Sequence, residues 1–120
     1  MSLRCESSGD ILTVVLTDAK ILDTAQIDEI HQEMVKILGE IKERNMLLDF
    51  REVKFLSSAA LGMLILVNKS CKERKINLKL CNIEADIAQI FKITGMNRVF
   101  SICKTSADAV AAFQKEGPKA

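Results

Sequence analysis

The chain reads as an α/β protein: one domain with a mixed, mostly parallel β-sheet, an opening hairpin and about four α-helices. Three observations predict this. Runs of apolar, often β-branched residues alternate along the chain with segments whose apolar residues recur at three- and four-residue steps, the pattern of strands interleaved with amphipathic helices. Two strand-like runs stand next to each other at the start, separated by the turn pair Gly9-Asp10, so they pair as a hairpin before the alternation begins. At 120 residues the chain is long enough for one core and short of the usual size of two.

The first strand is expected around residues 3–6 and the second over residues 11–17, where Ile-Leu-Thr-Val-Val-Leu-Thr is rich in β-branched side chains. Residues 18–23 connect, with Ile21 and Leu22 placed to pack inward. Over residues 24–44 the apolar positions Ile27, Ile30, Met34, Ile37, Leu38 and Ile41 line one face, while Asp28, Glu29, Glu33, Lys36, Glu40 and Lys42 fall between them. That spacing predicts an amphipathic helix. Asp23 or Thr24 is its N-cap, because a short side-chain oxygen accepts an otherwise unpaired first-turn N–H. Gln26, three residues after Asp23, completes the pattern of a capping box.

Met46-Leu47-Leu48-Asp49-Phe50 is a short apolar run that reads as a strand buried on both faces. Charge at residues 51–54 breaks it, and Val53, Phe55 and Leu56 restore apolar character ahead of Ser57-Ser58. A second helix fits residues 59–75, with Leu61, Leu64, Ile65, Asn68 and Cys71 on one face. Its basic end, Lys72-Glu73-Arg74-Lys75, suits a helix C-terminus. In residues 77–83 Leu78 and Leu80 alternate with Lys79 and Asn82, a strand signal. Residues 84–94 carry Ile87, Ile90, Phe91 and Ile93 on a third helix, ended by Gly95 as a left-handed cap. A last strand over residues 98–103 and a last short helix over residues 106–114 complete a domain of residues 1–114, with 115–120 as a flexible tail.

Composition narrows the function classes. Apolar residues make up 48% and charged residues 28%, ordinary globular usage, and the net charge of +1 gives no field that would draw nucleic acid or an anionic membrane. Tryptophan and tyrosine are absent, which removes the aromatic platforms that commonly stack sugars and bases. No run approaches the roughly 20 apolar residues that span a bilayer, and no basic segment followed by an apolar stretch opens the chain, so a cytoplasmic location is expected. Cys5, Cys71, Cys81 and Cys103 are widely spaced, without a CxxC or Cys/His cluster, and are expected as free thiols with no metal or cofactor. His31 is the lone histidine, beside the apolar stripe of the first helix, and is expected to pack or be solvated there.

Catalytic signatures are missing. The five glycines form no phosphate loop of the GxGxxG or GxxxxGK[ST] kind, HExxH does not occur, and no GxSxG elbow surrounds Ser57 or Ser58. What stands out is the junction Phe55-Leu56-Ser57-Ser58-Ala59-Ala60-Leu61-Gly62, where two adjacent hydroxyls fall at the start of an apolar helix. Two readings fit: the serines are helix caps, or one of them accepts a phosphoryl group. A phosphate at a helix N-terminus meets unpaired N–H groups and the positive end of the helix dipole, so it would alter the surface without breaking the fold.

The segment from Leu47 to Leu64, running through Asp49-Phe50-Arg51-Glu52-Val53-Lys54 into that junction, resembles the signature of the STAS family, named for sulfate transporters and anti-sigma factor antagonists. In that family a strand and loop lead into an Asp-Ser-Ser-Gly-Leu-Gly turn. Ile21-Leu22-Asp23-Thr24-Ala25 resembles the family's first helix start, and Thr94-Gly95-Met96-Asn97-Arg98-Val99-Phe100 its late Gly-x-x-x-x-Phe segment, so the resemblance covers nearly the whole chain.

The resemblance implies a binding module rather than an enzyme. In bacterial anti-sigma factor antagonists a partner serine kinase phosphorylates the first serine of the turn and a phosphatase reverses it. Aligned on Phe55, Leu61 and Gly62, that serine is Ser58, with Ser57 the alternative; Ser57 stands in place of the family's aspartate, Ala59 of its second serine and Ala60 of its glycine. Asp23 is retained. The implied partner-binding set is Asp23, Ser57, Ser58, Ala59, Leu61 and Gly62, and the implied partner is an anti-sigma factor kinase of the histidine-kinase-like ATPase fold. Two other readings stand beside it: a STAS subunit that is never phosphorylated, as on the ATPase of a lipid-transporting ABC complex or in a signalling scaffold, and an enzyme. The enzyme reading is the weaker, because Asp23, Ser57 and Ser58 include no base of suitable pKa.

Overall fold

The computed structural model describes residues 2–116. Its opening hairpin forms because Gly9 adopts φ +60°, a conformation that costs glycine little, and so turns the chain in two residues between β1 (Leu3–Ser8) and β2 (Ile11–Leu16). β4 (Asn45–Asp49), β6 (Asn77–Cys81) and β7 (Ser101–Cys103) then add in parallel, giving one five-stranded sheet in the order β1-β2-β4-β6-β7. The crossovers are α1 (Thr24–Glu40), α2 (Ser58–Glu73) and α3 (Ala85–Ile93), and α4 (Ser106–Glu116) follows the last strand. This is the expected α/β architecture, with a mixed, mostly parallel sheet and four helices. Two further strands of two residues each, β3 (Lys20–Ile21) and β5 (Phe55–Leu56), pair in parallel beside the main sheet.

The sheet separates two unequal cores. On one face Val14, Leu16, Met46, Leu48, Leu78 and Leu80 meet the buried stripes of α1, α2 and α3, including Ile30, Met34, Leu64 and Ile87. Phe91 of α3 stacks edge-on between Phe50 and Phe100, at centroid distances of 6.3 and 5.9 Å. On the other face, among the described residues, α4 supplies the cover, laying Ala109 and Phe113 over Ile11, Leu47 and Cys81. β4 is therefore buried on both sides, as its unbroken apolar run requires. Burial pushes the Cys71 thiol up to about 11 and, with Asp49 beside it, the Cys81 thiol up to about 12.

Several boundaries and orientations differ from expectation. The first helix stops at Glu40 rather than running to Arg44, because Ile41 turns extended and Asn45 is drawn into the sheet, its N–H donating to Asp10 O. Leu22 does not pack inward: the β3–β5 pair turns Ile21 into the core and leaves Leu22 51% exposed. On α2 the inward stripe is Ala60, Leu61, Met63, Leu64, Val67 and Cys71, while Ile65 faces out, since the helix packs against α1 as well as the sheet and buries a broader band. Lys79 is buried rather than exposed. It lies under α4, its ammonium 2.6 Å from Glu116, 3.0 Å from Ser101 Oγ and over the Phe113 ring. Glu116 and Lys115 thus belong to α4 and not to a tail; residue 1 and the remainder of the expected tail, 117–120, lie outside the described residues. Residues 96–98 form a short 3-10 turn after the left-handed Gly95 (φ +78°), so the last strand starts at Ser101 instead of Arg98.

Candidate functional site

All four parallel strands point their carboxyl ends the same way, and the loops that follow them carry the singled-out residues. That is the edge where α/β sheets generally build their sites. After β2 the chain runs through β3 into α1, and after β4 it runs through β5 into α2. The parallel register Lys20↔Phe55 and Ile21↔Leu56, extended by the Ser57 N–H donating to Ile21 O at 3.1 Å, sets the two helix starts side by side. Asp23 and Ser57 are the N-caps of these neighbouring helices.

At the start of α1 the expected capping box is present. Asp23 Oδ2 accepts the Gln26 N–H at 3.1 Å, and Gln26 Oε1 accepts the N–H groups of Asp23 (3.4 Å) and Leu22 (3.2 Å). The Gln26 amide nitrogen donates onward to Asp18 Oδ2 and Lys20 O, at 2.8 and 2.7 Å. At the start of α2 the Ser57 hydroxyl accepts the Ala60 N–H at 3.2 Å and is half-buried. Ser58, the first helical residue, is exposed, and its hydroxyl has no hydrogen-bond partner among the described residues. With Ala60 N–H on Ser57 Oγ and Leu61 N–H on Ser57 O, the amides of Ser58 and Ala59, both exposed residues, are the first-turn donors left without an acceptor among the described residues.

Asp23, Ser58, Ala59 and Gly62 therefore share an exposed surface, with Ser57 at its floor. Leu61 does not join them: it is 4% exposed and packs into the main core, so its contribution is to hold α2 down rather than to touch a partner. Beyond Ser58 an open groove of about 430 Å³ runs between α1 and α2, lined by Ile27, Asp28, His31, Gly62, Met63 and Leu66. Leu66 (50%), Leu22 (51%) and Phe55 (55%) expose apolar surface nearby, and Lys20 sits over the Phe55 ring at 5.6 Å.

Sequence reasoning passed over that apolar rim. A signal was available: Met63-Leu64-Ile65-Leu66-Val67 is five consecutive apolar residues on a helix, more than its inward band can bury, so some of them had to face outward. The loop between β4 and β5 is pinned by Asp49, whose buried carboxylate accepts the Arg51 N–H (2.9 Å) and the Asn82 side chain (3.1 Å) and pairs with the Arg51 guanidinium. Lys54 ties the same loop to Glu84 at the start of α3. Among the described residues no cluster of histidine, cysteine and carboxylate side chains could hold a metal ion, and no helix is long and apolar enough to cross a membrane.

A mixed sheet with a serine-bearing helix start at the carboxyl ends of its parallel strands matches the STAS domain family, whose model fits residues 3–109. The chain belongs to that family. Among individual proteins it is similar to BtrV of Bordetella bronchiseptica, named as a candidate anti-sigma factor antagonist, with 25% identity over 99 residues, 82% of this chain and 84% of BtrV. In structure it is similar to an anti-sigma factor antagonist domain protein of Planctomyces limnophilus, at a TM-score of 0.77 and 18% identity over 92% of this chain and 95% of that one. It is also similar to the Bacillus cell fate determinant SpoIIAA in its phosphorylated form, at 0.66 and 12% over 92% and 99%. At such identities the structural likeness speaks for the fold.

Proposed function

We propose that this protein is an anti-sigma factor antagonist of the cytoplasm, that it works by binding rather than by catalysis, and that phosphorylation of Ser58 releases its partner. The observation that carries this reading is the division of roles at the start of α2. Ser57 Oγ is committed to the Ala60 N–H, whereas Ser58 is exposed and unengaged among the described residues. A kinase needs a hydroxyl it can reach without unwinding a helix, which favours Ser58 over Ser57 as the acceptor.

The partner in this reading is an anti-sigma factor serine kinase of the histidine-kinase-like ATPase fold. Its apolar side chains enter the α1–α2 groove beside Leu66, and contacts around Asp23, Ala59 and Gly62 bring its ATP to Ser58. The Ser58 oxygen attacks the γ-phosphorus, the bond to ADP breaks, and the hydroxyl proton leaves to a base on the kinase. The new phosphate carries roughly −1.5 to −2 charges and sits at the positive end of the α2 dipole, facing the open Ser58 and Ala59 amides, so the fold keeps it. In the interface the same charge is uncompensated, and removal of the partner follows. A phosphatase resets the hydroxyl.

Calorimetric binding of Ser58→Ala and Ser58→Asp to the anti-sigma factor tests the switch. Ser58→Ala is expected to bind like the wild type, and Ser58→Asp to lose about 100-fold or more, the scale set by burying an unpaired charge. Equal binding by both variants would point instead to a permanent, unphosphorylated subunit.

A further inference from the structure

β1 forms one edge of the main sheet, and five of its six residues are exposed. The hydrogen-bonding parity of the hairpin says which of its groups face outward. The Thr17 N–H donates to Ser2 O, and the two-residue turn closes on Ser8 and Ile11, so the even-numbered residues of β1 exchange backbone bonds with β2. The N–H and C=O groups of Leu3, Cys5 and Ser7 therefore point away from the sheet, in a row that an added strand can use. Edges of this kind are ordinarily blunted by proline, a bulge or charged side chains, and charges repel a second copy only where like signs meet. β1 has no proline, its pairing with β2 is continuous, and its two charges are of opposite sign: Arg4 and Glu6, on the same face of the strand, one either side of Cys5.

We infer that β1 pairs antiparallel with β1 of a second copy of this chain about a two-fold axis at Cys5, joining the two sheets into one of ten strands. Charge complementarity selects this register. The outward-facing rows of both copies match only when the two-fold passes through a residue position. Centring on Cys5 sets Arg4 opposite Glu6 of the second copy, and Glu6 opposite its Arg4. Shifting by one residue either way sets Arg4 against Arg4 or Glu6 against Glu6. The Cys5 register also pairs all three outward-facing residues, with Leu3 opposite Ser7, and it places the Arg4–Glu6 pairs at non-hydrogen-bonded positions, where facing side chains come closest. Within one chain Arg4 already lies 3.4 Å from Glu6, so the dimer builds a square of alternating charges with like charges on its diagonals. The interface is an isologous one, closed by symmetry.

Sedimentation of the full chain over a concentration series at low salt tests this, with circular dichroism confirming that each variant is folded. The wild type is expected to dimerise, more weakly as salt is raised. Arg4→Glu and Glu6→Arg, each of which sets like charges across the axis, are expected to weaken the dimer about ten-fold or more. An equimolar mixture of the two variants then recovers association as a heterodimer, because a strand acidic at both charged positions meets a strand basic at both. A wild type that stays monomeric, a dimer indifferent to both substitutions, or two weakened variants that do not rescue each other would each overturn the inference.

Discussion

The starts of α1 and α2 occupy equivalent places, side by side at the same end of the sheet, and share an N-cap bond, yet they differ in how much of their polar chemistry closes them. Asp23, Thr24, Ala25, Gln26 and Ile27 correspond position by position to Ser57, Ser58, Ala59, Ala60 and Leu61. On α1 the polar side chains do the closing: Gln26 alone takes two N–H groups and donates to Asp18 and Lys20, while the preceding Leu22 is exposed. On α2 the third helical residue is Ala60, which cannot reach back, so Ser57 supplies the single cap bond. Leu61 is in the main core as Ile27 is on α1, and the apolar difference is the preceding residue, Leu56, which is buried there where Leu22 is exposed. Both starts leave the N–H groups of their first two helical residues without an acceptor among the described residues, and Thr24 and Ser58 are both exposed. The α1 start has committed Asp23 and Gln26 to its own closure, whereas the α2 start has committed only Ser57.

The comparison breaks most visibly at the apolar positions. Leu61→Ala and Leu56→Ala are expected to cost about 2–5 kcal/mol each in urea unfolding, whereas Leu22→Ala stays within about 0.5 kcal/mol. Comparable losses at Leu22 and Leu56 would mean that both starts are stapled alike. Next come the caps. Asp23→Ala removes a reciprocal capping box and is expected to cost about 1–2 kcal/mol, against about 0.5–1 kcal/mol for Ser57→Ala, which removes a single bond.

A pH scan sharpens the contrast, because α2 carries a buried thiol. Folded Cys71 is pushed up to about 11 from an ordinary 9.0, so its stabilising effect is whole below pH 9 and is lost as the pH rises toward 11, the unfolded chain ionising first. The expected loss is about 1 kcal/mol at pH 10. Cys71→Ala should flatten the slope over that interval but leave the part contributed by Cys81, whose window reaches about 12. Smallest of all, Ser58→Ala is expected to shift stability by no more than about 0.5 kcal/mol, since its hydroxyl holds nothing in place among the described residues. A larger loss would make Ser58 a structural residue.

The contrast also marks what could be read from residues alone. The α1 stripe of Ile27, Ile30, Met34 and Leu38 was legible, and so was the Asp23–Gln26 box, because both are local and follow helical periodicity. Features set by a distant partner were not. Ile21 faces in and Leu22 out because β5, more than thirty residues on, pairs with β3. Lys79 is buried because α4 crosses above it and brings Glu116 to its ammonium. At the candidate site, the resemblance located the Ser57-Ser58 turn and its pairing with Asp23, but spacing could not divide cap from free hydroxyl: that depends on which oxygen faces the Ala60 N–H. Leu61 came into the docking set with the family resemblance, while the spacing of the α2 stripe puts it on the face it shares with Leu64 and Cys71, which lies in the core.

The central claim is that Ser58, not its neighbour, is the residue modified. Trypsin cleavage after Lys54 and Lys69 yields one peptide from Phe55 to Lys69 that carries both hydroxyls. Fragmentation of that peptide, from protein isolated from its own cells in growth and under stress, is the most direct test. Phosphate on Ser58, in an amount that changes between the two conditions, is the expected result; phosphate on Ser57, or none in either condition, would contradict it.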